Sequence, residues 1–170
     1  MAALFADKEL HMEGGQLILT VLIIQIVAIF GSALFARLSE LRGNKFSLIS
    51  MIIIWVLICL AAYLTVTSTQ FYILAFVVGL VMGGIQSLSR ATYSKLIPAD
   101  TTDHASYFSF YDVTFNVSIV VGTFAYGLIE NLTGSMRNSA LALGLFFLVG
   151  LGLLAIIKIP RGQQGASATS

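Results

Sequence analysis

The chain has 170 residues, 58% of them hydrophobic and 10% charged, with a formal net charge of +1. Soluble domains sit near ~45–50% apolar and ~25% charged, so the composition excludes a water-soluble globule, and the charge balance excludes a polybasic nucleic-acid binder or an acidic tail. The single cysteine, Cys59, lies in an apolar run and leaves no disulfide framework or thiolate metal cluster to consider.

Charged residues punctuate the chain and define its elements in order. Residues 1–14 carry Asp7, Lys8, Glu9, His11 and Glu13 and read as the outer end and loop of an upstream helix. The uncharged stretch between Glu13 and Arg37 holds a first span, 15–36. A membrane-crossing helix needs about 20 apolar residues for ~30 Å of hydrocarbon. The longer stretch between Lys45 and Arg90 therefore holds two spans, 46–64 and 71–90, divided by the polar break Thr65–Gln70. Pro98 and the polar residues Asp100–His104 end the third span and form a loop. The fourth span, 106–129, carries Asp112, Asn116 and several hydroxyls; the fifth, 138–158, lies between Arg137 and Lys158. Residues 159–170 are a Gly, Gln, Ser and Ala tail expected to be disordered on the cytoplasmic side. Lipid satisfies no open backbone, so every span is a helix. The expectation is an all-α integral membrane protein, with one five-helix transmembrane domain over 15–158.

Five spans place alternate loops on opposite sides of the bilayer. One side holds seven cations (Arg37, Arg42, Lys45, Arg90, Lys95, Lys158 and Arg161) and the other two, Lys8 and Arg137. Lys and Arg accumulate on the cytoplasmic side, which puts the C-terminus in the cytoplasm and the N-terminus of this chain outside. An N-terminus left outside just ahead of a span is explained simply if at least one helix precedes it.

Small residues recur at every fourth position of the third span: Ala75, Gly79, Gly83, Ser87 and Ala91. Such a stripe lets two helix backbones approach closely, and Thr114, Ser118 and Gly122 make a similar face on the fourth span. Polar side chains inside the spans are few, and each costs free energy unless it is paired or hydrated. Gln25, Gln86, Asp112 and Asn116 are the candidates to line an aqueous path, Asn116 sharing a helix face with Asp112. The structural alternative for Asp112 is a pairing with Arg90 or Lys95 at the membrane end. No pair of catalytic groups, glycine-rich phosphate loop or metal-ligand spacing is present in the sequence, so no enzyme activity, cofactor or metal is expected.

Two stretches carry a family resemblance. Phe35-Ala36-Arg37-Leu38-Ser39-Glu40-Leu41-Arg42-Gly43-Asn44-Lys45 resembles the cytoplasmic loop signature of the major facilitator superfamily, in which an acid, basic side chains and a glycine turn latch the inward gate. Ala36, Glu40 and Leu41 depart from its usual residues. Gly83-Gly84-Ile85-Gln86-Ser87-Leu88-Ser89-Arg90, Leu96-Ile97-Pro98, Phe108-Ser109-Phe110-Tyr111 and Thr133-Gly134-Ser135-Met136-Arg137 resemble the branch of the vacuolar amino-acid effluxer of autophagy and its bacterial relatives. The resemblance implies a fold of about twelve helices, of which this chain supplies five, most of the C-terminal six-helix half. It implies a secondary transporter in a bacterial cytoplasmic membrane, moving a small polar solute, an amino acid by preference, with the N-terminal half as a partner in the same or a separate chain. Gln25, Asp112 and Asn116 would face the path; Arg37, Glu40, Gly43 and Lys45 would set the gate, and Arg90 would cap the third span's C-terminal end. Members often carry a lysine near the position of Asn116, within reach of the acid four residues earlier; with Asn116 here, an ion pair with Asp112 within the fourth span is not expected. The readings that remain beside this one are a small membrane assembly module joined through the Ala75–Ala91 stripe, and a non-functional truncated transporter.

Overall fold

A computed structural model describes residues 2–98 and 101–157. Among these the regular structure is all helix: α1 (Ala2–Leu10), α2 (Gly14–Arg42), α3 (Asn44–Leu64), α4 (Ser68–Ser94), α5 (His104–Thr133) and α6 (Met136–Ile156). Helices α2 to α6 are each long and apolar enough to cross a membrane. The tail expected over 159–170 lies outside the described residues.

The helix ends depart from expectation for local reasons. The segment Arg37–Lys45, expected as a loop, is helical except at Gly43, whose φ of 88° turns the chain from α2 into α3. Charged side chains at a membrane end reach into water without breaking a helix, so they mark where the apolar span stops and not where the helix does. The polar break Thr65–Gln70 is a helix start. Thr67 Oγ1 accepts from the Gln70 N–H at 3.3 Å, and Gln70 Oε1 accepts from the Thr67 N–H at 3.3 Å. This reciprocal capping box begins α4 at Ser68. At its other end α4 continues one turn past Arg90 to Ser94, because Ala91–Ser94 contains no breaker; Lys95, not Arg90, occupies the C-cap. At the chain's start Ala2–Leu10 is a helix in its own right, closed by His11 at φ 49° and by the Met12 N–H donating to the Ala6 carbonyl at 3.2 Å.

Neighbouring helices pack as α2 on α4, α4 on α3, α3 on α6 and α6 on α5, with α1 touching α2, α4 and α6. The α2–α4 contact is the most extensive and rests on glycine. A Cβ at Gly83 would fall on the Ala28 carbonyl, one at Gly31 on the Leu80 carbonyl, and one at Gly79 would lie 2.8 Å from the Ile24 carbonyl oxygen. Backbones this close are held by dispersion and weak Cα–H···O contacts. Gly84 leaves the same kind of room for the Phe35 ring and the Met51 sulfur. The middle of the small-residue stripe is thus turned onto α2 of the same chain, so the surface that a contact between copies would need is occupied there. Ser87 is exposed and donates to the Gly83 and Gly84 carbonyls at 3.0 and 3.1 Å. Gly122, expected in a similar close contact, has nothing within 4 Å, because α5 leans on α6 and not on α4.

Two apolar clusters hold the ends of the bundle. Phe35, Leu48, Met51, Val81 and Leu88 join α2, α3 and α4 toward the end that carries Arg37, Arg42, Lys45, Arg90 and Lys95 (the cation-rich end). Phe5, Ala6, Phe71, Tyr126 and Met136 join α1, α4, α5 and α6 at the opposite end.

The glycine contacts make a direct prediction. Gly83→Leu sets a side chain against backbone that cannot rotate away, and should destabilise by about 3 kcal/mol or more. Gly122→Leu, into open space, should change stability by less than ~0.5 kcal/mol. Unfolding of the purified protein in mixed detergent micelles measures both; equal costs would show that the α2–α4 approach is not the governing contact.

Candidate functional site

A cavity of about 630 Å³ lies between the helices. Its walls include Ile24, Gln25 and Ala28 from α2, Trp55 and Cys59 from α3, and Ala75, Met82, Gly83 and Gln86 from α4. Phe5 of α1, Phe71 of α4 and Tyr126 of α5 stand at the opposite end. The stripe creates this space as well as the α2–α4 contact, since Ala75 and Gly83 offer almost no side chain to fill it. Gln25 and Gln86 bring amide groups to an otherwise largely apolar wall, and no charged side chain lines it among the described residues. Gly79 abuts Ile24 and Gly83 abuts Ala28, which sets Gln25 level with that contact and Gln86 about a turn closer to the cation-rich end. Of the four residues expected on a path, the structure brings these two together. Asp112 and Asn116 are not among the lining residues.

Asp112 instead pairs with Arg90, one turn beyond Gln86 on α4. Arg90 Nη2 donates to Asp112 Oδ1 and Oδ2 at 3.1 and 3.2 Å, and the guanidinium lies 5.8 and 6.0 Å from the ring centres of Phe108 and Tyr111. The Tyr111 hydroxyl donates to Ser89 Oγ at 3.1 Å and the Tyr93 hydroxyl to the Tyr107 carbonyl at 3.0 Å. Asn116 uses its amide locally, donating to the Asp112 backbone carbonyl at 2.7 Å.

A second network ties the remaining helix ends at the same side. Ser39 donates to Asn44 Oδ1, the Asn44 amide donates to Thr92 Oγ1 at 2.9 Å, and Lys95 Nζ donates to Asn44 Oδ1 at 3.2 Å. Lys45 Nζ donates to the Ala155 and Ile157 carbonyls at 2.8 and 2.7 Å, a cation at the C-terminal end of α6 where the helix dipole favours it. Gly43 makes the turn that lets Asn44 and Lys45 reach these partners, while Arg37 and Glu40 are exposed. Asn44 and Thr92 were not singled out from the sequence; only the position of Asn44 inside the loop signature pointed toward them.

At the opposite end α1 is fastened by charge. Glu9 Oε1 accepts from the Met136 N–H at 2.8 Å and from Ser135 Oγ at 3.1 Å, and Glu9 Oε2 accepts from Arg137 Nε at 3.1 Å. Arg137 Nη1 also donates to the Tyr63 carbonyl at 3.3 Å, and Lys8 pairs with Glu130. Glu9 therefore caps the N-terminus of α6 from a different helix. Partial burial raises its pKa, but the bonds from Arg137, Met136 and Ser135 outweigh this and hold the carboxyl below its ordinary value of 4.5.

The described residues thus form a multi-span helical membrane bundle with a partly open cavity whose largely apolar wall carries two amide groups. The chain belongs to the "vacuole effluxer Atg22 like" family, whose model matches residues 1–167. It is 30% identical to an uncharacterized MFS-type transporter, YxiO, of Bacillus subtilis, over 88% of this chain and 35% of the relative. It is 28% identical to autophagy-related protein 22 of Cryptococcus neoformans over 97% of this chain and 31% of that protein, and 30% identical to the same-named protein of Eremothecium gossypii over 97% and 34%. The chain thus spans about a third of the length of these curated relatives. No solved structure matches it significantly.

The Glu9 cluster makes a prediction with a sign. A carboxyl whose folded pKa is depressed contributes stability above its unfolded value, and that contribution is lost as pH falls through the folded one. The hold on α1 should therefore be constant above about pH 5 and weaken progressively below 4.5. Glu9→Gln should remove that pH dependence along with part of the stability. Thermal unfolding in detergent from pH 3 to 7 reads both; an unchanged pH profile in Glu9→Gln would contradict the assignment.

Proposed function

We propose that this chain is the C-terminal part of a secondary transporter of the major facilitator superfamily that moves a small polar solute, an amino acid by preference, by alternating access. The cation-rich end faces the cytoplasm, a side on which Lys and Arg accumulate, and the membrane is the bacterial cytoplasmic membrane, in keeping with the Bacillus relative. Transporters of this superfamily rock two halves around a site near the midplane. The N-terminal half, in the same or a separate chain, supplies the second wall.

The observation that carries this reading is the pair Gln25 and Gln86 on the wall of one cavity. Amides at membrane depth are costly unless they meet water or a polar ligand, and a solute with a few hydrogen-bonding groups and an apolar body meets both parts of this wall. None of the described lining residues is charged, so groups that pair with the ammonium and carboxylate of an amino acid fall to the N-terminal half. Amino-acid flux is the function that the resemblance implies.

Replacing Gln25 or Gln86 by Leu in the intact transporter tests this. Each loses a solute hydrogen bond that contributes about 1–2 kcal/mol, so the half-saturating solute concentration should rise roughly tenfold. Membrane abundance should stay unchanged. Transport indistinguishable from the parent in both variants would reject the cavity as the solute path.

A further inference from the structure

The aromatic rings on the cavity wall are unevenly committed. Phe5, Phe71 and Tyr126 stand there together with Trp55, but the first three are each 4% exposed and packed into the apolar cluster at the opposite end. Phe5 stacks on Phe71 at 5.9 Å between ring centres, and the Tyr126 hydroxyl is used on the Met136 carbonyl. Trp55 is only partly buried, and it is the largest side chain of the wall outside that cluster. We infer that Trp55 is the specificity-determining residue of this cavity: the apolar side chain of the solute packs on its indole, and solutes are ranked by the apolar area they lay there. This rests on the transport reading given above, which it extends by naming the residue that selects.

Two further observations carry it. The first is a ring held still. The Phe147 ring of α6 stacks on the Trp55 indole at 5.2 Å between centres, with 12° between the planes. Trp55 lines the cavity and Phe147 does not, so Phe147 backs the indole from outside and the other face is left to the cavity. The backing is itself fixed, because α3 packs more extensively on α6 than on any other helix. Gly144, one turn before Phe147, comes so close to α3 that a Cβ there would lie 3.4 Å from the Cys59 Cβ. A large flat surface already locked in place gives up little rotamer freedom when a ligand settles on it.

The second observation is level. A Cβ at Gly84 would lie 2.9 Å from the Met51 sulfur, so Met51 stands opposite Gly84. Trp55 follows Met51 by one turn on the same face of α3, which runs away from the cation-rich end. The indole therefore lies short of Gln86 and near the level of Gln25. A solute whose apolar side chain rests on Trp55 keeps its polar groups within the stretch of wall that carries the two amides. The amides hold any such solute alike, whereas the indole distinguishes one side chain from the next, since each methylene laid on an apolar surface adds to binding.

The test uses a homologous series of neutral amino acids, alanine, 2-aminobutyrate, norvaline and norleucine, with the intact transporter in membrane vesicles. In the parent the half-saturating concentration should fall roughly two- to fourfold with each added methylene. Trp55→Ala should flatten that gradient, whatever it does to the maximal rate, and Trp55→Phe, which keeps a ring against Phe147, should restore part of it. Where Trp55→Ala does not reach the membrane, Phe147→Leu, which frees the indole to turn, should make the gradient shallower. A gradient unchanged in Trp55→Ala or its stand-in would overturn the assignment. So would a loss equal for all four solutes, which would make Trp55 a packing residue only. Trp55 is the only tryptophan of the 170 residues, and the difference in tryptophan emission between the parent and Trp55→Phe reads binding without flux. Flux with a gradient indifferent to Trp55 rejects this assignment alone. A saturable change in Trp55 emission, half-complete at lower norleucine than alanine, without flux of any of the four, rejects the transport reading alone, and neither flux nor an emission change rejects both.

Discussion

The approach of two helix backbones, α2 to α4, sets the rest of this molecule. Gly31, Gly79 and Gly83 carry no Cβ where one would collide with the Leu80, Ile24 and Ala28 backbone. In lipid no hydrophobic effect drives helices together, so contact area between close backbones has to do it. The same small residues that bring α2 and α4 together leave a cavity beside them, because a stripe of glycine and alanine fills no volume on the face it presents. Adhesion and open space thus come from one sequence feature, and Gln25 and Gln86 are placed by it on a common wall.

The bundle's two ends are closed by different chemistry. At one, the short helix α1 inserts Phe5 and Ala6 into a cluster with Phe71, Tyr126 and Met136, while Glu9 caps α6 and binds Arg137. That closure combines apolar burial with a partly buried, multiply bonded carboxylate. At the other end α5 is held to α4 by a half-exposed ion pair and two tyrosine hydroxyls. The loop signature between α2 and α3 stabilises the neighbouring helix ends through Asn44 and Lys45. Its charged members Arg37 and Glu40 stay exposed.

Much of the fold was legible in the sequence because lipid imposes so strict a rule. Five apolar stretches, one of them carrying Asp112, had to be helices, and the resemblance placed them in a family that the match over residues 1–167 bears out. Helix ends were less legible, because Arg37 to Arg42 are mostly good helix residues and Ala91 to Ser94 contain no breaker, so only Gly43 or a cap stops the chain beyond the apolar span. The fourth span carries several hydroxyls, yet Thr114 and Ser118 donate theirs to the Phe110 and Thr114 carbonyls at 2.9 and 2.8 Å, so the helix tolerates them. Tertiary partners lay beyond sequence reasoning. Glu9 meets Arg137 from the far end of the chain, and the stripe on α4 announced a close contact without saying that α2 would make it.

Membership of the family and five spans make this a membrane protein of a transport family. The most direct measurement is uptake and efflux of a panel of radiolabelled neutral amino acids in membrane vesicles from cells that make the chain and from cells that lack it. The account predicts a flux of at least one neutral amino acid that appears only with the chain and saturates with concentration. Identical fluxes across the whole panel, with the chain present in the membrane at normal abundance, would contradict it.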